Sequence, residues 1–459
     1  MTAEAARAVV VGGGLAGTTA ALELADAGVR VTLLEGRPRL GGLVFSFRRG
    51  ELTVDNGQHV YLRCCTAYRW LLDRIGGTAL APLQDRLDVP VLDIAPAAGP
   101  RLGRLRRSGL PVPLHLARSL ATYPHLSLAE RASVGRAALA LKGLDLTDPA
   151  LDDTDFATWL RGHGQSERTI EALWDLVGVA TLNATAPHAS LALAAMVFKT
   201  GLLSEAGAAD IGWARVPLGE LHHTLARKAL DAAGVRTELR TRVTGAARTA
   251  DGSWRVETDG GTLEADAVVL AVPQREAHAL LPDGALDNQA GLLEIGMSPI
   301  LNVHVVYERK VLRQPFFAAL GTPVQWVFDR TDASGLQGGG QYIALSQSAA
   351  DDDIDQPVSV LRERYLPELE RLLPAARGAG VRDFFVTRER TATFAPAPGV
   401  GRLRPGARTR IPGLGLAGAW TATGWPATME GAVRSGLSAA GTVLAALGRT
   451  HDHPLQEAA

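Results

Sequence analysis

The chain has 459 residues, 46% hydrophobic and 21% charged, the balance of an ordered globular enzyme long enough for two domains. Its 47 basic and 48 acidic residues leave a formal charge of −1, so no overall field draws it to nucleic acid. The two cysteines, Cys64 and Cys65, are adjacent and unsuited to an ordinary disulfide, and no run reaches the ~18–20 apolar residues of a membrane-spanning helix.

The N-terminus carries no basic stretch before the first strand, so no signal peptide is expected and the cytoplasm is the expected location. Ala8 to Val11 is a short β-branched run fit for a buried parallel strand. Gly12, Gly14 and Gly17 follow in G-x-G-x-x-G spacing, with Leu15 and Ala16 opening a helix that runs to Ala27 and is closed by Gly28. A second buried strand, Val29 to Leu34, ends at Glu35. Strand, glycine turn, helix, strand and terminal acid form a dinucleotide site: the glycines admit a pyrophosphate, the helix start attracts it, and Glu35 reaches ribose hydroxyls. Gly36, Arg37, Arg39, Gly41 and Gly42 extend this site with basic groups and close backbone. Next comes Asp55-Asn56-Gly57-Gln58-His59-Val60, a polar loop containing a side chain able to hold or release a proton near neutral pH.

From Ala81 to Asp210 the text reads as helical and irregular, without strand–helix alternation. Arg101-Leu102-Gly103-Arg104-Leu105-Arg106-Arg107 and the apolar Leu110 to Leu120 offer a contact for an anionic lipid surface. The run Leu191 to Phe198 is a buried helix or the wall of an apolar pocket. Arg215 to Leu221 leads into a helix ending near Ala233, then a strand at Val235 to Leu239, a hairpin over Arg242–Val256 and a buried strand Ala265 to Val272. Further strands are expected at Pro299 to Tyr307, Val324 to Phe328 and Tyr342 to Ser346, with an acidic solvated loop at Asp351-Asp352-Asp353. Near the end, Leu414 to Gly418 is a short strand followed by Ala419, and Trp425-Pro426-Ala427-Thr428 introduces a helix from Met429 to Leu447 containing Glu430, Gly431 and Gly436. The tail His451-Asp452-His453 lies past that helix and is expected to be disordered, with no metal bound anywhere.

The Glu35–Gly42 text resembles the flavin amine oxidase and phytoene desaturase superfamily, and Asp55 to Val60 resembles the signature of bacterial hydroxysqualene dehydroxylases. The resemblance implies FAD as cofactor, bound by the Gly12–Gly17 and Glu35–Gly42 segments, by Gly57, Gln58 and His59, by Val243 near adenine, and by Gly418, Ala419, Thr428, Met429 and Glu430. The fold class it implies is α/β. A Rossmann-like FAD-binding domain would be assembled from residues 1–75, 211–275 and 399–448. A mixed α+β substrate domain would come from 76–210 and 276–398, leaving 449–459 as tail. The implied reaction is reductive removal of the hydroxyl of hydroxysqualene, with His59 or Asp55 delivering a proton and reduced flavin a hydride. Glu430 is a second acid candidate. Trp420, Trp425, Trp326 and Phe328 would line the pocket for an isoprenoid substrate, with peripheral contact at the inner face of the plasma membrane and a separate electron donor.

The sequence departs from the superfamily at two places: Ala419 stands where an aspartate is usual, and Leu43 where arginine is common. Two enzymatic alternatives remain, a carotenoid desaturase or an amine oxidase. The latter is disfavoured because Met297-Ser298-Pro299-Ile300 offers no lysine ahead of the long strand. A prenyl-binding protein without flavin, like the Rab GDP-dissociation inhibitors, is opposed by Glu35, Arg39 and the intact C-terminal helix text.

Overall fold

A computed structural model describes residues 5–95 and 99–449, so the His451-Asp452-His453 tail lies outside the described residues. Separated stretches of chain converge on a five-stranded parallel sheet in the order Leu414–Leu416, Ala267–Leu270, Arg7–Val11, Arg30–Glu35, Arg236–Leu239. Val9, Val10 and Val11 are buried, as are Val268, Val269 and Leu270, because helices or strands cover both faces of the sheet. On one face lie the helices Leu15–Asp26 and Met429–Ala446. They cross so closely that a Cβ on Gly436 would stand 2.3 Å from the Ala16 carbonyl oxygen, which leaves room only for glycine. The other face is covered by an antiparallel sheet of Val243–Arg248, Trp254–Thr258 and Gly261–Ala265, with Trp254 wholly buried in one cluster with Val9, Val11 and Val268.

A seven-stranded sheet forms the second layer, ordered Val381–Phe394, Met297–Tyr307, Gln341–Ser348, Trp326–Asp329, Phe316–Leu320, Asp88–Asp93, Arg101–Arg106. The expected strands in 299–346 are all present, lengthened or shifted by a few residues. Its last two strands correct the expectation of helical and irregular text from 81 onward. Asp88–Asp93 pairs in parallel with Phe316–Leu320, a partner far away in sequence, and Arg101–Arg106 folds back on it as the edge. Period-two alternation splits the long strand Met297–Tyr307. Leu301, Val303 and Val305 pack under the helix Val358–Leu372 through Leu361, Tyr365 and Leu369. Asn302, His304 and Val306 face the opposite way, toward Leu52–Asp55 and the turn after it. The acidic loop is only partly solvated: Asp353 is buried, accepting from Tyr365 Oη at 2.8 Å and pairing with Arg364.

Short helices fill most of the chain between 114 and 203. Ser127 and Glu130 form a reciprocal capping box at the start of Leu128–Lys142, and Asp155 caps Phe156–Gly162. Leu191–Phe198 is buried nearly all round, with Phe198 against Trp174 and Phe156, so it is core. Among the described residues no helix is long and apolar enough to cross a membrane.

Candidate active site

The glycine turn between Val11 and Leu15 is built by contact. A Cβ on Gly17 would fall 1.9 Å from the Gly12 carbonyl oxygen, so helix and turn can meet only without one. Gly14 is the N-cap of the helix and provides no side-chain cap, so the early N–H groups at Leu15 and Ala16 are left for an anionic ligand. Gly42, at φ +57°, lies across this helix start, where a Cβ would come within 2.9 Å of Gly14 Cα. Gly14 and Gly42 therefore leave a trough bounded by bare backbone. Arg39 holds its rim, donating from Nη1 to the Gly42 carbonyl at 3.0 Å while its guanidinium lies 3.4 Å above the Phe45 ring.

Glu35 stands at the far end of the trough. Its carboxylate accepts from the Gly13 N–H and the Arg37 N–H, each at 2.7 Å. Thr241 N donates to the Glu35 carbonyl at 3.0 Å, and Arg242 lies against Gly36, which brings Val243 to the same end. Gly36, Arg37 and Val243 thus gather around Glu35.

At the other end, Gly418 N donates to Ser435 Oγ at 2.8 Å, tying the strand end to the last helix. Thr428 caps that helix through the Gly431 N–H at 3.1 Å, and Met429 is its first residue. Glu430 faces elsewhere. Its carboxylate accepts from Ala67 N at 3.1 Å, Tyr68 N at 2.7 Å and Arg434 Nε at 2.7 Å, filling the helix start of Thr66–Arg74, which has no side-chain cap of its own. The side chain therefore clamps two helices together. Ala419 presents only backbone. Its carbonyl accepts from the buried Arg404 at 3.3 Å, and the same guanidinium reaches the carbonyls of Trp420, Thr421 and Trp425. Arg404 makes no ion pair among the described residues, and burial lowers its pKa to about 10.

Between these ends runs the turn 55–59. Asp55 Oδ1 accepts from Ser46 Oγ at 2.6 Å and Leu218 N at 2.9 Å, and Oδ2 from Arg330 Nη2 at 2.7 Å. Every hydrogen bond of this carboxylate is accepted from a donor, so Asp55 anchors the turn. Asn56 is locked by Phe45 N, the Leu43 carbonyl and Glu389, and its own carbonyl accepts from Asn302 Nδ2 at 3.1 Å and Thr387 Oγ1 at 2.9 Å. His59 is bound only loosely, Nδ1 to the Gly57 carbonyl at 3.3 Å. Burial pushes its imidazole below the usual histidine value, partly offset by the Gly57 carbonyl and Asp55. A small pocket beside it is walled by Trp213, Ala214, Leu218 and Phe328.

Arg330, Asn302, Thr387 and Arg404 were invisible to sequence reasoning. Each lies in an ordinary strand or loop, and only pairing with distant segments gives it a role. Of the expected aromatic lining, Trp326 and Phe328 pack on Phe316 of the same sheet, whose ring meets Trp213 edge-on. Trp420 instead donates to the Val272 carbonyl at 2.9 Å, and Trp425 lies under Arg434, so both belong to the last helix and its approach.

These features fit a dinucleotide-linked flavin. The bare-backbone trough suits a pyrophosphate, Glu35 suits a ribose, and the buried Gln58 Nε2 and Asn302 Oδ1 lack partners among the described residues, leaving a donor and an acceptor at the turn. A profile of the family described as flavin containing amine oxidoreductase matches residues 15–444. The chain belongs to the flavin-containing amine oxidoreductases. The chain is similar to hydroxysqualene dehydroxylases from Rhodopseudomonas palustris, 30% identical over 95% of this chain and 98% of that protein, and from Sinorhizobium fredii, 28% identical over 95% and 97%. A zeta-carotene desaturase from Synechocystis is 24% identical over 96% and 97%. Among solved structures, a triple mutant of putrescine oxidase superposes with a TM-score of 0.72 at 20% identity, covering 96% of this chain and 99% of that one. Cyclohexylamine oxidase from Brevibacterium oxydans gives 0.71 at 19% identity, covering 97% and 100%, which shows a shared fold. As a flavin-containing amine oxidoreductase, the protein is an FAD-dependent oxidoreductase of α/β fold.

Proposed function

We propose that this oxidoreductase removes the hydroxyl of hydroxysqualene to give squalene. The observation that carries the reading is the setting of His59. It is the one titratable group of the pocket outside an ion pair, because Asp55 and Arg330 neutralise each other. The wall facing it is apolar and aromatic, suited to an isoprenoid and able to steady a developing allylic cation. Relatives named hydroxysqualene dehydroxylase, matched end to end, support the same reaction.

FAD would be held by the Gly14–Gly42 trough, Glu35 and the last helix, and would supply in its reduced form the hydride that the reaction consumes. The protein's part is acid catalysis and exclusion of water. His59 as imidazolium gives its proton to the departing hydroxyl, the C–O bond breaks, water leaves, and a C–H bond forms at the same carbon. Arg330 and Asp55 hold the turn against the substrate sheet so that the imidazole stays placed.

The test is anaerobic mixing of photoreduced protein with hydroxysqualene. Flavin reoxidation with squalene formed supports the reading; flavin that stays reduced, with substrate intact, rejects it. The likeness to carotenoid desaturases favours a second reading, in which oxidised flavin accepts hydride from a polyene. Phytoene given to the oxidised protein would then bleach the flavin.

A further inference from the structure

The edge strand Arg101–Arg106 and the turn beyond it gather exposed leucines within a short stretch of chain. Leu102, Leu110 and Leu114 are 57%, 50% and 53% exposed, and Leu128 follows at 79%. Between Leu110 and Leu114 lie Pro111 and Pro113, so the tip is a stiff, apolar projection rather than a frayed loop.

Its base is clamped. Ser119 Oγ accepts from Arg106 N at 2.9 Å and donates to the Arg104 carbonyl at 2.6 Å, while Ser108 N donates to the His115 carbonyl at 2.7 Å. Arg107 is spent on the buried Asp210, its Nη2 2.7 Å from Oδ2. One arginine of the run thus anchors the chain inward. Arg104 and Arg106 share a single carboxylate, Asp88, at 3.1 and 3.8 Å. Arg101 and Arg118 form no ion pair among the described residues, and residues 99–129 contain no aspartate or glutamate. The projection is thus apolar at its tip and uniformly cationic at its rim.

We propose that residues 101–118 dock this protein on an anionic lipid bilayer, with Leu110 and Leu114 inserted among the acyl chains and Arg101 and Arg118 at the headgroups. The charge pattern selects this occupant over a second copy of the chain, whose identical basic rim would repel its own. The strand Arg101–Arg106 is three steps along one sheet from Trp326–Asp329, beside the His59 pocket, about 14 Å at ordinary strand spacing. An isoprenoid leaving the bilayer at this face has a short way to travel; that link rests on the function proposed above, whereas the docking itself does not.

The experiment is flotation of the flavin-loaded full chain with vesicles of phosphatidylcholine alone or mixed with phosphatidylglycerol. The expected result is flotation with the mixed vesicles, weakened roughly tenfold or more in L110S/L114S, and loss of the phosphatidylglycerol preference in R101Q/R118Q. Flavin absorbance and melting temperature of each variant establish that it is folded. Equal flotation of wild type and L110S/L114S, or none by the wild type, overturns the proposal. So does a wild-type dimer in sedimentation velocity that L110S/L114S converts to monomer. Turnover of detergent-dispersed hydroxysqualene without flotation removes the docking face alone; flotation without turnover removes only the proposed reaction.

Discussion

Arg330 and Asp55 form a buried ion pair, Nη2 to Oδ2 at 2.7 Å, that joins the end of the strand Trp326–Asp329 to the loop leading to His59. The same guanidinium donates to the Ala214 carbonyl at 2.7 Å and the Val216 carbonyl at 3.3 Å, so three segments meet on one side chain.

Removing one partner leaves the other charge buried alone, which costs about 3–5 kcal/mol. Arg330→Met is therefore expected to lower the urea midpoint strongly. The double variant Asp55→Asn with Arg330→Met should lose less than the sum of the two single changes. Denaturation followed by fluorescence for all four proteins checks the coupling, and strict additivity would contradict it.

His59→Gln should retain bound flavin yet slow hydroxysqualene reduction by ~10²–10⁴-fold. The acid form of a histidine with lowered pKa is populated only on the acid side of its usual 6.5. The rate of the reductive half-reaction should therefore fall as pH rises, with a midpoint below that value, and the variant should be flat over the same range. A midpoint well above it would exclude His59 as donor.

Arg404 satisfies four main-chain carbonyls around the site where Ala419 replaces the usual aspartate. Arg404→Met should loosen this loop and raise the Kd for FAD, measured by quenching of flavin fluorescence. Ala419→Asp, restoring the polar contact, should tighten FAD by about tenfold, or ~1.4 kcal/mol. No gain from Ala419→Asp would mean that backbone contacts already hold that part of the cofactor.

Acid should destabilise the protein through its buried histidines. Burial lowers His222 and His304 to about 3, so both are neutral in the fold yet take up protons once unfolded below 6.5. The unfolded chain then binds more protons, and stability falls continuously as pH drops from 6.5 toward 3. Melting temperature against pH should show this slope, and His304→Gln should make it shallower.

The trough was legible in the sequence because its geometry is local: Gly12, Gly14 and Gly17 build turn and helix start from adjacent residues, and Glu35 ends the next strand. The turn 55–59 was legible as text but not as mechanism. What Asp55 does is decided by Arg330, and what Glu430 does is decided by an uncapped helix at Ala67 and Tyr68, neither of which spacing reveals. The hairpin 88–106 was missed for the same reason. Its strands are stabilised by Phe316–Leu320, and without that neighbour their propensities are weak.

The tight crossing of Gly436 over Ala16 has a consequence for biosynthesis. The helix Leu15–Asp26 leaves the ribosome well before the surface it needs, which arrives together with the strand Leu414–Leu416 that completes the parallel sheet. Until then the face of Leu15–Asp26 that receives Gly436 is uncovered, and Thr428 and Met429 are not yet beside the glycine turn. Full cofactor affinity is accordingly expected only after the helix Met429–Ala446 has been translated.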